Sequence, residues 1–530
     1  MGKYVGIDLG TTFSAVAVID EKGNPQIIPN QLGETTTPSV VLFGKGKPII
    51  GSTAKKKSMA DPNNYEAFVK RHMGEKTYAF TNKDGESFRP EEISALILSR
   101  LKEDAEAYMG DSIEGAVITV PAYFADPQRQ ATKDAATAAG LKVLDMINEP
   151  TAAAIAFGIS KDISGEQTVM IYDFGGGTFD VSILKIDENN IQVLATNGDH
   201  KLGGYDIDKA IYDYVVEEAS DEGVDIESDV KAKQSLMIAA ETAKKELSSA
   251  DETDICIYVK GEEYETTITR EQFEEDIADG ILDTTLSIMC RAMEEAGLTY
   301  SQIDKILLVG GSTRIPIIRK MLEEETGITP SNEVHPDEAV AIGAAFHAVD
   351  VAKQMAEGTF KTEASADPAY QPPVKVDEKD VPDLDKNYNF QDVTSHAIGI
   401  VTWDSDLEKE VNSIILPKNT PIPAEFKGEY CTSVEYQEQI ELRVTSGEFE
   451  NLDYVTIIGN ATLKVRPRAK HVPISVTVSC DRDAILHVRA RDMDENIDLG
   501  EITINRDKNN MTEEEVKQAT TRIHKLNIGE

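Results

Sequence analysis

The chain has 530 residues, of which 40% are hydrophobic and 28% are charged. This is enough apolar material for several hydrophobic cores, so the composition excludes a wholly disordered chain and predicts several domains. The 94 acidic residues outnumber the 53 basic ones and give a formal net charge of -41. Such a charge repels phosphate backbones and anionic lipid surfaces, which argues against nucleic acid and membranes as partners.

The sequence shows neither a signal peptide or membrane segment nor a zinc-binding motif. No apolar run approaches the roughly twenty residues that a membrane helix needs, and the first residues lead into a strand-like segment without a signal-peptide pattern. We therefore expect a cytoplasmic protein. The eight histidines form no HExxH motif and no paired cluster. The four cysteines show no CxxC spacing, so we expect buried, reduced thiols; they are Cys256, Cys290, Cys431 and Cys480.

Residues 1–350 alternate between short β-branched runs and segments of helical periodicity, which predicts an α/β fold. The predicted strands include 4–7, 116–120, 169–172 and 306–309, and the predicted helices include 128–139, 230–247 and 316–325.

The second part of the chain changes character twice. Residues 351–391 are acidic and contain several prolines, which predicts a solvated linker. Residues 392–508 contain runs of strict alternation, such as Ile440, Leu442 and Val444, and this is typical of antiparallel strands with one buried face. In the final segment, 509–530, Thr512 and Glu515 form a capping-box pattern that predicts a helix to about Leu526.

Two segments of the first part resemble each other: VGIDLGTTFSAVAVID at residues 5–20 and MIYDFGGGTFDVSILKID at residues 170–187. Each predicts a strand, an aspartate, a glycine-threonine turn and a second strand. One copy alone could be an ordinary hairpin, but two copies predict two related lobes. In such turns backbone N–H groups and threonine hydroxyls can bind phosphate, and aspartates can hold a magnesium ion through water.

A third glycine turn lies in ILLVGGSTRIPIIRKML, residues 306–322. Gly310, Gly311 and Ser312 separate a predicted strand from a predicted helix. Backbone N–H groups at a helix start favour an anionic or polar group of a nucleotide.

Seven segments together resemble the heat-shock protein 70 (Hsp70) family, of the bacterial DnaK type, over nearly the whole chain. They are IDLGTT, YDFGGGTFD, VITVPAYFADPQRQATKDAATAAG, INEPTAAAIAFG, TNGDHKLGGYDID, ETAKKELSS and NEVHPDEAVAIGAA. The resemblance implies an α/β two-lobed actin/sugar-kinase-like ATPase domain, an all-β sandwich substrate-binding domain and a short C-terminal helix that begins a truncated helical lid. It also implies an ATP-dependent molecular chaperone that hydrolyses ATP slowly and binds extended hydrophobic segments of unfolded proteins.

The resemblance implies ATP/ADP and Mg²⁺ as cofactors, with K⁺ as a further candidate ion. Asp8 and Asp173 match the family positions that hold the waters around magnesium. Lys70 matches the lysine that orients the attacking water, and the other catalytic positions fall on Glu149, Asp173, Thr178 and Asp180. The implied nucleotide-binding residues are Gly10, Thr11, Thr12, Gly175, Gly176, Gly177, Gly203, Gly204, Glu241, Lys244, Lys245, Ser248, Gly310, Gly311, Ser312, Arg314 and Asp337.

These roles are physically reasonable because γ-phosphate hydrolysis needs positioned water and neutralised charge more than covalent help. Taken alone, Lys70 could be a solvated surface lysine. Glu149, just before Pro150, could serve only as a helix-start carboxylate, and the structural and catalytic roles can coexist. Tyr205 stands where the family has an acidic residue, so the ribose contact expected there is open.

The family's peptide groove maps onto positions in the alternating strands, where an extended peptide would bind by strand-like recognition. The alternative for these side chains is the core of the sandwich. Trp403, the only tryptophan, lies in a polar context and is predicted to be a partly exposed anchor. The implied groove residues are Ile400, Thr402, Trp403, Tyr430, Ile440 and Leu442.

Four departures from the family pattern alter what the resemblance implies. The leucine-rich linker is replaced by a segment with only Val381 and Leu384 as apolar candidates. Asp145 stands where bacterial members present an arginine to the J-domain co-chaperone, which predicts repulsion. The segment between Lys70 and Pro121 is short, which affects a region that nucleotide exchange factors touch. The lid stops after its first helix, which predicts fast peptide exchange.

Two other functions remain open at this point. A small-molecule kinase of the same fold would transfer the γ-phosphate to a substrate, although it would not need a β-rich C-terminal part. A nucleotide-gated binding protein would close on ATP with negligible hydrolysis, although it would not need Lys70, Glu149 and Asp173.

Overall fold

The structure is a computed structural model that describes residues 3–44, 47–160, 165–331, 333–360, 376, 381–382, 384, 389–481, 485–503, 510–526 and 528–529. These residues form helices and seven sheets. The predicted mixed α/β character is therefore confirmed, and every strand and helix predicted above appears with bounds shifted by at most a few residues.

The strands of the described part are, in chain order, β1 (Tyr4–Asp8), β2 (Phe13–Ile19), β3 (Pro25–Ile28), β4 (Thr37–Pro38), β5 (Val40–Leu42), β6 (Ile49–Ile50), β7 (Tyr65–Ala67), β8 (Phe80–Thr81), β9 (Ser87–Phe88), β10 (Gly115–Val120), β11 (Val143–Asn148), β12 (Gln167–Phe174), β13 (Phe179–Ile186), β14 (Asn190–Asp199), β15 (Glu252–Val259), β16 (Glu262–Thr269), β17 (Lys305–Val309), β18 (Asn389–Gln391), β19 (Ile398–Asp404), β20 (Lys409–Leu416), β21 (Ala424–Cys431), β22 (Gln439–Ser446), β23 (Thr456–Lys464), β24 (Pro473–Cys480), β25 (Leu486–Asp492) and β26 (Ile497–Thr503).

The α-helices of the described part are α1 (Ser52–Lys57), α2 (Pro90–Met109), α3 (Asp126–Ala138), α4 (Glu149–Ser160), α5 (Gly204–Asp221), α6 (Val230–Glu246), α7 (Arg270–Gln272), α8 (Asp279–Ala296), α9 (Pro316–Thr326), α10 (Ala339–Glu357) and α11 (Glu513–Leu526).

Two large sheets share one strand plan, which confirms the duplication predicted from the sequence. Sheet 1 has the order β11-β10-β1-β2-β3, and sheet 2 has the order β17-β12-β13-β14-β18. In each sheet an antiparallel meander (β1-β2-β3 or β12-β13-β14) is extended beside its first strand by a parallel strand, β10 or β17. We call the residues built on sheet 1 the first half and those built on sheet 2 the second half.

Helices α4 and α10 pack between the two sheets. Their alanine-rich faces, together with Val169, Ile171, Leu307 and Val309, form one buried cluster. The strands that face this layer are buried along almost their whole length; β1, for example, is buried from Tyr4 to Ile7. Strands covered on both faces read as continuous apolar runs, which is why the sequence shows them so clearly.

A second apolar layer lies on the outer face of each sheet. Sheet 1 is covered by α2 and α3, and sheet 2 is covered by α5, α6, α8, α9 and the hairpin β15-β16. Helix α6 begins at Asp229, whose carboxylate accepts hydrogen bonds from the N–H groups of Lys231 and Ala232, an N-cap that the sequence allows.

Residues 392–481 and 485–503 form a sandwich of two antiparallel sheets. Their strand orders are β20-β19-β22-β23 and β21-β24-β25-β26, and alternate residues such as Val444, Val476 and Val488 are fully buried between them. The sandwich contacts both halves. The ring of His396 packs edge-on against Tyr123 of the first half, and Lys418 Nζ lies 2.8 Å from Glu295 of the second half.

The predicted linker is shorter than expected at both ends. The boundary at residue 350 lies inside α10, which continues to Glu357 before Gly358 ends it with a left-handed φ of 70°. At the other end, β18 pairs in parallel with β14 and becomes the edge strand of sheet 2. Residues 361–375, 377–380, 383 and 385–388 lie outside the described residues.

The apolar side chains of the linker pack against the core between the sheets. Val381 and Leu384, the two candidates from the sequence, are partly buried there, and so is Phe390 of β18. Phe390 was missed because a single aromatic residue within NYNFQ carries no period. The linker therefore has an apolar attachment despite the absence of a leucine run.

Helix α11 packs on the first half and not over the sandwich. Its capping box is present: Glu515 N–H donates to Thr512 Oγ1, and Thr512 N–H donates to the Glu515 carboxylate. Its buried face joins the cluster beneath α2 and α3. The helix that the resemblance implies as the start of a lid thus packs on the helix pair α2 and α3 of the first half.

Polar contacts fix α11 and the residues after it. Arg522 donates to Ser87 O and Glu92 Oε1, and its guanidinium stacks 3.8 Å from the Phe88 ring centroid. Gly529 N–H donates to Pro48 O at 2.8 Å. The end of the described chain is therefore part of the first half.

Two expectations about the surface can be compared with the structure. The four cysteines are present as thiols, as expected, but only Cys480 is buried. Cys256 and Cys431 are exposed because alternate residues of their strands point outward. Among the described helices, none combines the length and the apolar character that crossing a membrane would require.

We expect Ile523→Ala to destabilise the first half by about 2 to 5 kcal/mol, because it removes a fully buried side chain between α11 and α3. Urea unfolding followed by far-UV circular dichroism would measure the loss in the free energy of unfolding. Fluorescence of Trp403 would report the unfolding of the sandwich separately. The exposed Lys517→Ala on the same helix is the matched control. Equal stability of the two variants would contradict this packing.

Candidate active site

Two glycine-threonine turns face each other between the sheets, one joining β1 to β2 and the other joining β12 to β13. A Cβ atom on Gly176 would lie 1.7 Å from Thr12 Oγ1, and one on Gly177 would lie 2.3 Å from Thr11 Cγ2. Only glycine permits this approach. The duplicated motif therefore brings both sets of backbone N–H groups and threonine hydroxyls to one place.

The third glycine turn packs against the second. Ser312 Oγ donates to Gly175 O at 2.8 Å. Gly310 has a left-handed φ of 82°, and a Cβ atom there would lie 2.4 Å from Phe174 O. The three turns thus surround one space, although each comes from a different part of the sequence.

This space is a cavity of ≈ 400 Å³ between the two halves, a size that suits a small-molecule ligand. It is lined by most of the nucleotide-site residues predicted from the sequence: Asp8, Gly10, Thr11, Thr12, Lys70, Glu149, Asp173, Gly175, Gly176, Thr178, Glu241, Lys244, Lys245, Ser248, Gly310, Gly311, Ser312, Arg314 and Asp337.

Four predicted residues lie just behind the cavity wall. Gly204 N–H donates to Gly175 O at 3.0 Å, and a Cβ atom on Gly203 would lie 2.4 Å from Gly177 N, so these three glycines pack behind the second turn. Asp180 is buried and accepts a hydrogen bond from Tyr123 N–H at 3.0 Å. These residues shape the phosphate turns from behind.

Lys70 projects into the cavity as one half of a buried ion pair. Its Nζ lies 2.6 Å from Glu149 Oε1, and its side chain is 4% exposed. The turn Val69–His72 that carries it follows Phe68, which has φ 60° and ψ 20°. The surface-lysine alternative for Lys70 is therefore wrong, because this turn directs the ammonium inward.

Glu149 lies both at a helix start and at the cavity wall, and its catalytic role stays a prediction. It is the first residue of α4, and its carboxylate accepts from Lys70 at the cavity wall. A carboxylate at a helix start is favoured by the helix dipole, so α4 supports the charge that holds Lys70.

Three aspartates crowd the same end of the cavity and have raised pKa values. Desolvation, followed by the charge of Glu149, raises the pKa of Asp8 to about 7, although Lys70 and the hydroxyl of Thr119 oppose the shift. The same two causes raise the pKa of Asp180 to about 8. The pKa of Asp173 is raised well above its ordinary value by desolvation, Glu149 and the other two aspartates.

This excess of carboxylates suits a bound cation. Buried like charges are costly unless a cation neutralises them. Among the described residues, no group of three or more ligating side chains converges to hold a metal ion directly. The chemistry of these carboxylates therefore fits a bound cation such as Mg²⁺.

A cluster across the cleft was only partly predicted. Glu241 of α6 binds Lys245 of the same helix and Lys55 of α1, each at 2.6 Å. Burial alone would raise the pKa of Glu241, but these two lysines lower it to about 2. Both ammonium groups also lie near the ring of Phe13.

Lys55 and Phe13 carried no signal in the sequence. Lys55 is one of three consecutive lysines, and Phe13 reads as an ordinary strand residue. Their roles arise only because the fold places α1 opposite α6. Other lining residues that the sequence did not indicate are Ser14, Ala15, Thr36, Val309, Ile315, Pro336 and Val340.

Further residues predicted to bind nucleotide line the same cavity. Arg314 Nη2 lies 2.5 Å from Asp337 Oδ2 beside Gly311 and Ser312. Lys244 pairs with Asp208 at 2.7 Å and donates to Gly204 O at 2.9 Å. The Lys244 ammonium is thus held in place by protein groups.

The residues that line the cavity do not include Tyr205. Its ring lies 4.4 Å from that of Phe68, on the other side of the cleft. Tyr205 therefore takes part in a contact between the two halves.

Comparison with known families agrees with this geometry. The family model described as Hsp70 protein matches residues 4–361 and 368–527. The chain belongs to the Hsp70 family. The resemblance seen in the sequence is thereby confirmed across nearly the whole chain.

In this Hsp70 the groove positions predicted in the sandwich fall into two groups. Ile400 and Leu442 are buried in the sandwich core, which is the alternative that alternation favours. Tyr430 and Ile440 are partly buried against that core, and Tyr430 Oη lies 3.0 Å from Ser413 Oγ. The pair links β21 to β20 between the two sheets.

The other two positions lie near the end of β19. Thr402 is half-buried, whereas Trp403 is 62% exposed. Successive strand residues point to opposite faces, so Trp403 does not share a face with Ile400 and Thr402. The tryptophan is exposed as predicted, and its place in a peptide site remains a prediction.

Asp145 has a different environment from the one expected. Its carboxylate is buried and lies 2.8 Å from His347 Nε2, and the His347 ring packs edge-on against Phe390 of the linker. The Asp145 side chain therefore points into the protein. Its carboxylate is not exposed at the surface, where it would have to lie to repel a J-domain partner as expected.

We expect this Hsp70 to release on the order of one proton when Mg–ADP binds at pH 7, because a cation favours ionised carboxylates. Asp8 and Asp180, with pKa values of about 7 and about 8, are partly protonated at pH 7 before binding. Above pH 8 the release should fall, since both groups are already ionised.

Calorimetry in buffers of different ionisation enthalpy would measure this proton release. ADP without Mg²⁺ is the control for nucleotide binding alone, and Asp8→Asn should remove part of the signal. Binding of Mg–ADP without proton exchange at pH 7 would contradict the raised pKa values.

Proposed function

We propose that this chain is an ATP-dependent chaperone of the Hsp70 type, in which slow ATP hydrolysis between the two halves controls binding of extended polypeptide by the sandwich. The observation that supports hydrolysis most directly is the buried Lys70–Glu149 pair. It lies beside the glycine turns that would hold the phosphates of a nucleotide.

The site has the groups that phosphoryl transfer to water requires. Hydrolysis needs a water molecule placed in line with the γ-phosphate and positive charge on the phosphate oxygens. The Lys70 ammonium supplies part of that charge and can orient the water, and Thr178 offers a hydroxyl on the second turn. Asp8 and Asp173 would hold a magnesium ion through water, and that ion would neutralise phosphate charge.

The ion pair also accounts for slow hydrolysis. An efficient general base needs an unpaired carboxylate or imidazole whose pKa suits the operating pH. The Glu149 carboxylate is already paired with Lys70 at 2.6 Å, and Asp180 lies behind the cavity wall, where its carboxylate accepts a hydrogen bond from Tyr123 N–H. Positioning would therefore carry most of the catalysis.

The sandwich supplies the binding part of the proposal. Its two antiparallel sheets present exposed apolar side chains, among them Trp403, Phe426 and Tyr436. A strand-like peptide would gain backbone hydrogen bonds and apolar contacts from such a surface. A kinase that phosphorylates a small molecule would have no use for this unit.

A buried carboxylate connects the two units. Asp392, just after β18, accepts from Asn148 Nδ2 at 2.6 Å and from Thr151 Oγ1 at 3.2 Å. Burial raises its pKa. Asn148 directly precedes Glu149, so the first residues of the sandwich segment are bonded to the neighbour of the Lys70 partner.

We expect Lys70→Ala to lower the single-turnover rate of ATP hydrolysis by about 100-fold or more, because the variant loses the cation that stabilises developing charge. Quenched-flow measurement of ADP formed from pre-bound ATP would measure the rate. The exposed Lys142→Ala is the matched control. A wild-type chain that binds ATP without hydrolysing it would favour the nucleotide-gated binder, and phosphate transfer to an added sugar or acid would favour the kinase.

We expect Asp392→Ala to abolish peptide stimulation of hydrolysis while the basal rate changes little, because the bonds to Asn148 and Thr151 are lost. A coupled pair of sites should show stimulation of about fivefold or more. The comparison uses a saturating unfolded, leucine-rich peptide, and Asp406→Ala, an exposed aspartate of the sandwich, is the control. Unaltered stimulation in Asp392→Ala would show that coupling runs by another route.

A further inference from the structure

An aromatic contact joins the two halves of the chain beside Lys70. The rings of Phe68 and Tyr205 lie 4.4 Å apart between centroids, at an interplanar angle of 51°. The guanidinium of Arg71 lies 4.8 Å from the centre of the Tyr205 ring. Phe68 and Arg71 belong to the first half, and Tyr205 belongs to α5 of the second half.

The backbone of Tyr205 is attached to a phosphate turn. Its N–H donates to Gly176 O at 2.8 Å, and the neighbouring Gly204 N–H donates to Gly175 O at 3.0 Å. The Tyr205 ring is therefore fixed relative to the turn that faces Thr12. A shift of that turn is transmitted directly to the ring.

The backbone of Phe68 needs support from its surroundings. Its φ of 60° and ψ of 20° are in the left-handed region, which bulky side chains rarely adopt because of steric conflict. This conformation starts the turn in which Lys70 follows two residues later. The direction of the Lys70 side chain thus depends on a strained residue.

Arg71 supports the other side of Lys70. Its Nη2 donates to Lys201 O at 2.5 Å and to Asp206 Oδ1 at 3.0 Å, so Arg71 also reaches across to the second half. Lys70 is therefore flanked by two side chains that both contact Tyr205.

We propose that Tyr205 is a positioning residue for Lys70. By packing on Phe68 and Arg71 across the cleft, it holds the Lys70 turn in its inward conformation when the halves close around the nucleotide. Tyr205 does not touch the reacting atoms. The assignment rests on the proposed ATPase function, since it concerns the lysine that the hydrolysis would use.

The first test is single-turnover hydrolysis by Tyr205→Leu, which keeps apolar bulk, and Tyr205→Phe, which keeps the ring. We expect Tyr205→Leu to lower the rate about three- to tenfold, the equivalent of one lost aromatic pair, with little change in ATP affinity. Tyr205→Phe should retain the wild-type rate. Tyr258→Leu, a change at an exposed tyrosine of the hairpin β15-β16, is the matched control.

The second test does not require hydrolysis. With a non-hydrolysable ATP analogue and Mg²⁺ bound, acetic anhydride labelling and mass spectrometry would report the accessibility of the Lys70 amine. We expect slow labelling in the wild type and Tyr205→Phe, and labelling several-fold faster in Tyr205→Leu. The labelling separates the positioning role of Tyr205 from the proposed ATPase function. A wild-type chain that fails to hydrolyse ATP would contradict the ATPase function, whereas the labelling would still test the role of Tyr205.

A double-mutant cycle with Phe68→Leu identifies the route of the effect. If Tyr205 acts through Phe68 and Arg71, the double variant should be no slower and no more labelled than Tyr205→Leu alone. Additive effects, equal behaviour of Tyr205→Leu and wild type, or a loss of rate that only follows a loss of ATP affinity would each overturn the assignment.

Discussion

The active site depends on one buried ammonium held among too many carboxylates. Lys70 pairs with Glu149 at 2.6 Å, but burial and then the charge of Glu149 raise the pKa values of Asp8, Asp173 and Asp180. Without a cation this end of the cavity cannot keep all its acids ionised. A cation such as the magnesium ion that we propose would neutralise this excess of negative charge.

The arrangement of the acids follows from the duplication. Asp8 ends β1, and Asp173 lies near the end of β12. Because the two sheets share one strand plan and face each other, two equivalent strand ends meet. The close approach of Gly176 and Gly177 to Thr12 and Thr11 leaves no room for larger side chains, which explains the glycine-rich second turn. A single α/β sheet could not place two such turns around one ligand.

The C-terminal part is attached to the first part at separate points. Asp392 binds Asn148 and Thr151, β18 extends sheet 2, and α11 covers the outer helices of the first half. Each attachment buries polar or apolar groups that would otherwise face water. Movement of the sandwich would therefore be opposed by the bonds of Asp392, which lie next to Glu149. It would also be opposed by the pairing of β18, which lies elsewhere in the fold.

The sequence by itself determined the elements, the duplication and most of the nucleotide site. Strands buried on both faces and helices with an apolar stripe leave periodic signals, and glycine turns are local in sequence. It also determined the family, because the family motifs are contiguous segments of the chain. The residues predicted from these motifs line the cavity, apart from Gly177, Asp180, Gly203 and Gly204, which pack behind its wall.

Only the tertiary structure decided the contacts between distant segments. Lys55 meets Glu241, Asp145 meets His347, and Tyr205 meets Phe68, although no local pattern relates the partners. Likewise, the capping box of α11 was visible in the sequence, but not the surface that covers the helix, because hydrophobic burial is non-directional and any apolar surface within reach could satisfy it. Which surface lies within reach is set by how the whole chain packs.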